Sequence, residues 1–157
     1  MTVAELIEWI NEGARAIVGR RYDAGAFTDN FEMLAGSRQN LGDNVYRLID
    51  VTRNMGAGST PGRIIKRADR QLMDVSDPDW HTATPDAVTR QFVYDDKGSP
   101  NVFYVHPPAV AGKVIEVIIS RFPPVVTNGQ DLDLTEDFEE ALVNYVLYRC
   151  YAKDSEY

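Results

Sequence analysis

The residues most able to do chemistry are crowded into one short stretch, residues 77–86, which reads DPDWHTATPD. It holds three aspartates, Trp80 and His81, which is one of only two histidines in the chain. Carboxylate and imidazole groups are the ligands of many calcium and zinc sites, and they also act as general acids and bases. The stretch therefore raises the question of a metal site or a catalytic site.

The spacing argues against a metal. Zinc sites usually take several His or Cys ligands, and the whole chain has two His and one Cys. A calcium loop alternates aspartates toward a glycine and a distal glutamate, whereas here Pro78, Trp80 and Pro85 interrupt the run. We predict no metal and no cofactor, with the aspartates serving turns and caps and Trp80 packed against its surroundings.

Other reactive patterns are equally weak. The glycine-rich stretch NMGAGSTPG at 54–62 lacks the spacing of a nucleotide-binding loop, so a flexible surface loop is favoured. Cys150 has no His nearby in the sequence and is predicted to be a buried small hydrophobe. The acidic run QDLDLTEDFEE at 130–140 suits the start of a helix. We predict that the protein is not an enzyme, and a carboxylate-dependent hydrolase is the less favoured alternative.

Composition limits the class of protein. A chain of 157 residues with 44% hydrophobic and 25% charged residues is typical of one soluble globular domain, here taken as 1–157. Its net charge of -8 argues against a protein that grips nucleic-acid phosphates. No apolar run approaches the roughly 18–20 residues that cross a bilayer, and the N-terminus does not resemble a signal peptide. We expect no membrane association.

Hydrophobic periodicity predicts an α+β fold. The elements are a helix at 2–21, strands within 26–53 and 89–121, a short helix at 63–75 and a terminal helix at 135–153. Thr2 and Glu5 have the spacing of a capping box, and Thr135 is the predicted N-cap of the terminal helix. The predicted architecture has helices at both ends and one helix between two groups of strands. Its last three strands would form an antiparallel meander.

The terminal helix is apolar nearly all round, with Phe138, Leu142, Tyr145 and Tyr148 on one side and Val143 among the residues of the other. Such a helix must be buried against more than one element. In so short a chain, part of that cover is expected from another subunit. The tyrosines and tryptophans fit a protein interface and a simple core equally well.

The sequence also resembles a known family. The stretches WINEGARAIV, VYRLIDVTRNMG, GRIIKRADRQLMDVSDPDWHTA, FYVHPP and ALVNYVLYRCYAKDSEY run in this order from Trp9 to Tyr157. Together they are similar to the head-to-tail adaptor (connector) proteins of tailed, especially short-tailed, bacteriophages. The resemblance implies a virion structural protein of the neck, assembled in the host cytoplasm. It also implies that the end helices pack as a bundle with an inserted antiparallel β-sandwich-like module of about five or six strands. Such a protein would form a ring of about twelve copies that joins the portal to the tail tube or nozzle, with the genome ejected through its channel.

On this basis the two end helices are the predicted subunit-packing elements, and the loops at 54–62 and 77–86 are the predicted contacts between rings. Adaptors of this kind commonly carry further helices at both ends, so the resemblance leaves open which segment meets the portal. A tail-completion or terminator protein, often sixfold, is the main structural alternative. The predicted interface residues are Trp9, Trp80, His81, Phe138, Leu142, Tyr145, Tyr148 and Tyr151.

Overall fold

The computed structural model describes residues 2–155 and confirms an α+β chain. Its described part contains three α-helices: α1 (Val3–Arg20), α2 (Arg70–Ser76) and α3 (Glu139–Asp154). The eight strands of the same residues are β1 (Ala26–Glu32), β2 (Gly36–Asn40), β3 (Val45–Met55), β4 (Pro61–Ile64), β5 (Lys66–Arg67), β6 (Gln91–Val93), β7 (Val102–Ala109) and β8 (Val114–Arg121).

Contacts along the chain cluster in two compact units, where the composition suggested one domain. The first unit runs from the N-terminus to Ala26 and resumes at Ser120, so that it contains α1 and α3. The second unit is the inserted segment Phe27–Ile119, which holds α2 and most of the strand residues.

Within the first unit, α1 begins with the predicted capping box. The Thr2 amide donates to Glu5 Oε2 over 2.7 Å, and the Glu5 amide donates to Thr2 Oγ1 over 3.3 Å. Gly13 marks the closest approach to α3, since a Cβ there would lie 2.6 Å from Tyr145 Cδ1 and 2.7 Å from Leu142 Cδ1. The glycine, which costs about 1 kcal/mol relative to Ala in a helix, is therefore explained by a packed neighbour.

The buried face of α1 differs from the predicted stripe. Its buried residues are Trp9, Gly13, Ala14 and Val18. The recurrence of Leu6, Ile7, Ile10, Ala14 and Ile17 predicts that these residues form the buried stripe, yet Ile7 and Ile10 are only half-buried. Trp9, which lies off that stripe, is buried, and Arg149 of α3 lies 5.6 Å over its ring.

Helix α3 starts later than its predicted N-cap. A short 3-10 turn, Glu136–Phe138, precedes it, and no side chain caps either segment. The Thr135 hydroxyl instead donates to the Ala24 carbonyl over 3.3 Å. The Thr135 hydroxyl, which was predicted to cap the helix, is therefore used in a hydrogen bond to a residue distant in the sequence.

The second unit contains two four-stranded sheets, in the order β1-β8-β3-β4 and β2-β7-β6-β5. One core cluster draws buried residues from both sheets, among them Val51, Phe92, Phe103 and Ile115. Six strands lie in the two predicted ranges, although β3 runs two residues past 53 to Met55, and a further pair, β4 and β5, lies between the ranges. The sandwich arrangement and the helix bundle stay predictions.

The segment from 61 to 67 is extended, although a helix was predicted to begin at 63. The Ile65 amide donates to the Thr52 carbonyl over 3.0 Å, and the Lys66 amide donates to the Arg90 carbonyl over 3.1 Å. These bonds tie the segment to partners distant in the sequence, which the local periodicity does not reveal. The helix begins only at Arg70, where Asp69 Oδ1 accepts from the Leu72 amide over 3.0 Å.

The predicted meander of the last three strands is wrong in its final step. β6 and β7 pair antiparallel, but β8 lies between β1 and β3 in the other sheet. Both edges of β7 are already occupied, by β2 and by β6, so no edge remains for β8. The sheets are also not wholly antiparallel, because β5 and β6 run parallel.

Candidate assembly surface

The stretch that opened the question of chemistry forms a packed corner of the second unit. Trp80 is fully buried at 0% exposure, and its indole Nε1 donates to Asp74 Oδ1 over 2.9 Å. The His81 ring stacks on it with centroids 3.6 Å apart, and His81 Nδ1 lies 2.9 Å from Ser37 Oγ. Tyr104 closes the corner with its ring 6.2 Å from Trp80, edge to face. The histidine is thus engaged in packing.

The aspartates of this stretch lie in or beside turns. The main-chain carbonyls of Asp77 and Asp79 accept from the Trp80 and Thr82 amides, over 3.1 and 2.8 Å, bonds that do not depend on their carboxylates. The Asp86 carboxylate accepts from the Val88 amide over 3.1 Å. Across the described residues 2–155, no three His, Cys, Asp or Glu side chains are grouped so as to hold a metal ion. Asp74, the carboxylate that accepts from the Trp80 indole, lies six residues earlier, in α2, and was not singled out from the sequence.

The structure separates the predicted interface residues by burial. Trp9, Trp80 and Leu142 are buried within their own units. His81, Phe138 and Tyr145 are half-buried. Tyr148 and Tyr151 are open to solvent, at 67% and 72% exposure. The exposed pair lies on α3, so this helix carries the surface most accessible to a partner.

Little of helix α3 is buried: in the part of the chain described, Leu142 is its one buried residue. Val143 and Leu147 are about half exposed, in addition to the two tyrosines. Exposed apolar side chains at successive turns form a patch of the kind that marks a protein interface. The predicted cover of α3 by another subunit would fall on these exposed side chains.

Beside this patch lies an open apolar groove of about 480 Å³ between α1, the loop at 126–132 and α3. Its aliphatic lining residues are Ile7, Ile10, Val126, Leu132, Leu142, Val143, Val146 and Leu147. Most of them are half-buried or exposed, so the groove is a preformed surface rather than a closed core. Ile7 and Ile10 of α1, which are only half-buried, therefore form part of the lining of this groove.

An adjoining hollow of about 380 Å³ shares Leu132, Glu139 and Leu142 with the groove and adds Asp131 and Glu136. We call the groove and the hollow together the acidic groove. From 122 to 148 the sequence has six acidic residues and no Lys or Arg. Asp133 is neutralised by Arg121 at 2.9 Å. Asp131, Glu136 and Glu139 have no ion-pair partner among residues 2–155, which leaves the rim negatively charged.

Charge pairs hold α1 to α3 beside this groove. Arg149 lies 5.6 Å over the Trp9 ring and pairs with Glu12 at 3.1 Å. Lys153 pairs with Glu5, the capping-box residue. The hydrogen bond from Lys153, reinforced by the Thr2 amide, lowers the pKa of Glu5 from 4.5 to about 2. One carboxylate therefore serves both the start of α1 and the end of α3.

This double role predicts a pH dependence. The pKa of Glu5 is depressed in the folded state, so its stabilising contribution is present above pH 4.5 and is lost as the pH falls toward 2. We expect Glu5→Gln to lower the melting temperature at neutral pH and to match the unsubstituted protein near pH 2. Circular dichroism melts across this range would measure it, with Glu8→Gln on the exposed side of α1 as control. A difference that is constant with pH would contradict the assignment.

An α+β chain that leaves an apolar helix face and groove open is built to bind other proteins. Its described residues contain no helix of the length and hydropathy needed to cross a membrane. The family model described as SU10 adaptor protein matches residues 1–157, and the chain belongs to this family. It is a bacteriophage structural adaptor of the head–tail junction, as the sequence resemblance indicated. A comparison with curated proteins gives no match.

Proposed function

We propose that this adaptor forms a ring of about twelve copies that joins the portal to the tail and lets the genome pass through its channel. The observation that supports it most is the open apolar surface of α3 and the acidic groove, in a chain of an adaptor family. Apolar surface of this kind is stabilised when another subunit removes it from water, at about 25 cal/mol per Å². Assembly is therefore the function that this surface serves.

Charge supports the second part of the proposal. The first unit carries 12 acidic and 6 basic residues, a balance of -6 out of the total of -8. A channel lined by such a surface repels DNA phosphates and would let the genome slide without gripping it. We place Tyr148 and Tyr151 in the subunit contact, and we propose the turn at 54–62 and the exposed rim of 77–86 for contacts between rings.

The subunit count in solution tests the proposal. Native mass spectrometry of the purified protein, alone and mixed with the portal protein of the same phage, should give about twelve subunits in a single closed species. A sixfold species that binds tail components but not the portal would assign it to the tail-completion proteins instead. A protein that stays monomeric and never binds the portal would contradict the proposed adaptor ring.

A further inference from the structure

We propose that the acidic groove of one copy receives the basic edge of the next copy, defined as residues 61–67 with Arg63, Ile64, Lys66 and Arg67 exposed. The inference rests on the proposed ring and names the two surfaces that build it. In it, Ile64 enters the apolar groove while the three cations meet Asp131, Glu136 and Glu139 on its rim.

The basic edge lies at the end of both sheets. β4 is the outer strand of the first sheet, and β5 is the outer strand of the second. Arg63, Lys66 and Arg67 are exposed, and none has an ion-pair partner within the described chain. Arg67 is held by its own unit, since its Nη2 donates to the Tyr94 carbonyl over 3.3 Å. The basic edge therefore carries positive charges without ion-pair partners, and the Arg67 hydrogen bond fixes one end of it to its own unit.

Cations on an outer strand also have a simpler use, because they discourage unwanted strand pairing. The edge also carries Ile64, which is 58% exposed between Arg63 and the buried Ile65. A large aliphatic side chain among cations is complementary to an apolar site with an acidic rim. The first unit has such a site, and it is open and carries unneutralised carboxylates.

The topology of the pairing also suits a ring. The groove belongs to the first unit and the basic edge belongs to the second, so the contact joins two different surfaces. Contacts between unlike surfaces generate closed rings or filaments, whereas contacts between like surfaces stop at a pair. A second copy of this chain is therefore the occupant that both the charge and the symmetry favour.

Reversing the charges on each side provides the test. Variant A carries Arg63→Glu, Lys66→Glu and Arg67→Glu, and variant B carries Asp131→Lys, Glu136→Lys and Glu139→Lys. We expect each variant alone to remain monomeric under conditions in which the unsubstituted protein assembles. Mixed one to one, each groove meets a strand edge of opposite charge, and assembly should return as an alternating ring. Recovery on mixing would also show that both variants fold.

A matched control separates this contact from net charge. Arg38→Glu with Lys97→Glu and Lys113→Glu changes the total charge by the same amount at three other exposed cations that lack ion-pair partners in residues 2–155. It should assemble like the unsubstituted protein. Mild oxidation of Ile64→Cys with Val143→Cys should give a ladder of linked subunits. The two variants with only one of these added cysteines, each of which still contains Cys150, should not.

The outcomes are distinct. If variant A keeps the full subunit count, alone and on the portal, the basic edge does not meet the groove, and the ring itself still stands. If variant A keeps its count but loses DNA binding, the edge contacts DNA and the inference is wrong. If the unsubstituted protein stays monomeric with and without the portal, the proposed ring fails and this contact fails with it.

Discussion

Replacing Trp80 with alanine is expected to lower the free energy of unfolding by about 3–5 kcal/mol. The indole is fully buried, stacks on His81 at 3.6 Å and meets Tyr104 edge to face. Its removal leaves a cavity between His81 and Tyr104 and removes the hydrogen bond to Asp74. Urea unfolding followed by circular dichroism would measure the loss.

Two further substitutions divide the effect. Trp80→Phe keeps most of the apolar volume and removes the indole N–H, so it should cost about 1–2 kcal/mol. Asp74→Asn keeps an oxygen acceptor for the indole and should change stability by less than about 0.5 kcal/mol. A Trp80→Ala loss below that of Trp80→Phe would show that the corner is not packed as described. If Trp80 instead served a contact between rings, the isolated protein would tolerate its loss.

Replacing Gln39 with leucine is expected to cost about 3 kcal/mol, because it strands three backbone groups at once. Gln39 is fully buried in β2. Its Oε1 accepts from the Leu34 amide over 2.8 Å, and its Nε2 donates to the Leu34 and Gly36 carbonyls over 2.8 and 3.0 Å. This one side chain therefore provides hydrogen-bond partners for the backbone of the turn between β1 and β2, which belong to different sheets. Leucine has nearly the same volume, so a cavity is not the cause.

The measurement combines denaturant unfolding with hydrogen exchange. The Leu34 amide should lose protection in Gln39→Leu more than the amides of β7 do, since its acceptor is gone. Gln91→Leu is the matched control, because Gln91 is a half-buried strand glutamine whose side chain forms no hydrogen bond within residues 2–155. Equal stability of the two variants would mean that Gln39 does not hold the turn.

These two positions bear on assembly because both lie in the unit that carries the basic edge. A strand edge can dock only if the sheets behind it are held in place. The Trp80 corner supports β7 through Tyr104, and Gln39 supports the turn into β2. The exposed residues Ile64, Tyr148 and Tyr151 can be changed without touching either support, which separates effects on association from effects on folding.

The sequence alone determined the features that depend on neighbours within about four residues. The capping box of Thr2 and Glu5, the strands within 26–53 and 89–121 and the acidic start of the last helix are all of this kind. The sequence also predicted the many apolar residues of α3. Five sequence stretches in their order along the chain were enough to indicate the adaptor family. These features need no knowledge of which distant segments meet.

The tertiary structure decided what depends on pairing across the chain. Residues 63–67 were predicted to be helical from their spacing, but hydrogen bonds to Thr52 and Arg90 hold this segment extended. β8 left the meander because β2 and β6 already occupied both edges of β7. Trp80 was predicted to be packed, but its partners Asp74 and His81 could be identified only from the structure. Periodicity shows which residues share one face of a helix or strand. Only the tertiary structure determines whether that face packs against another element or is exposed to solvent.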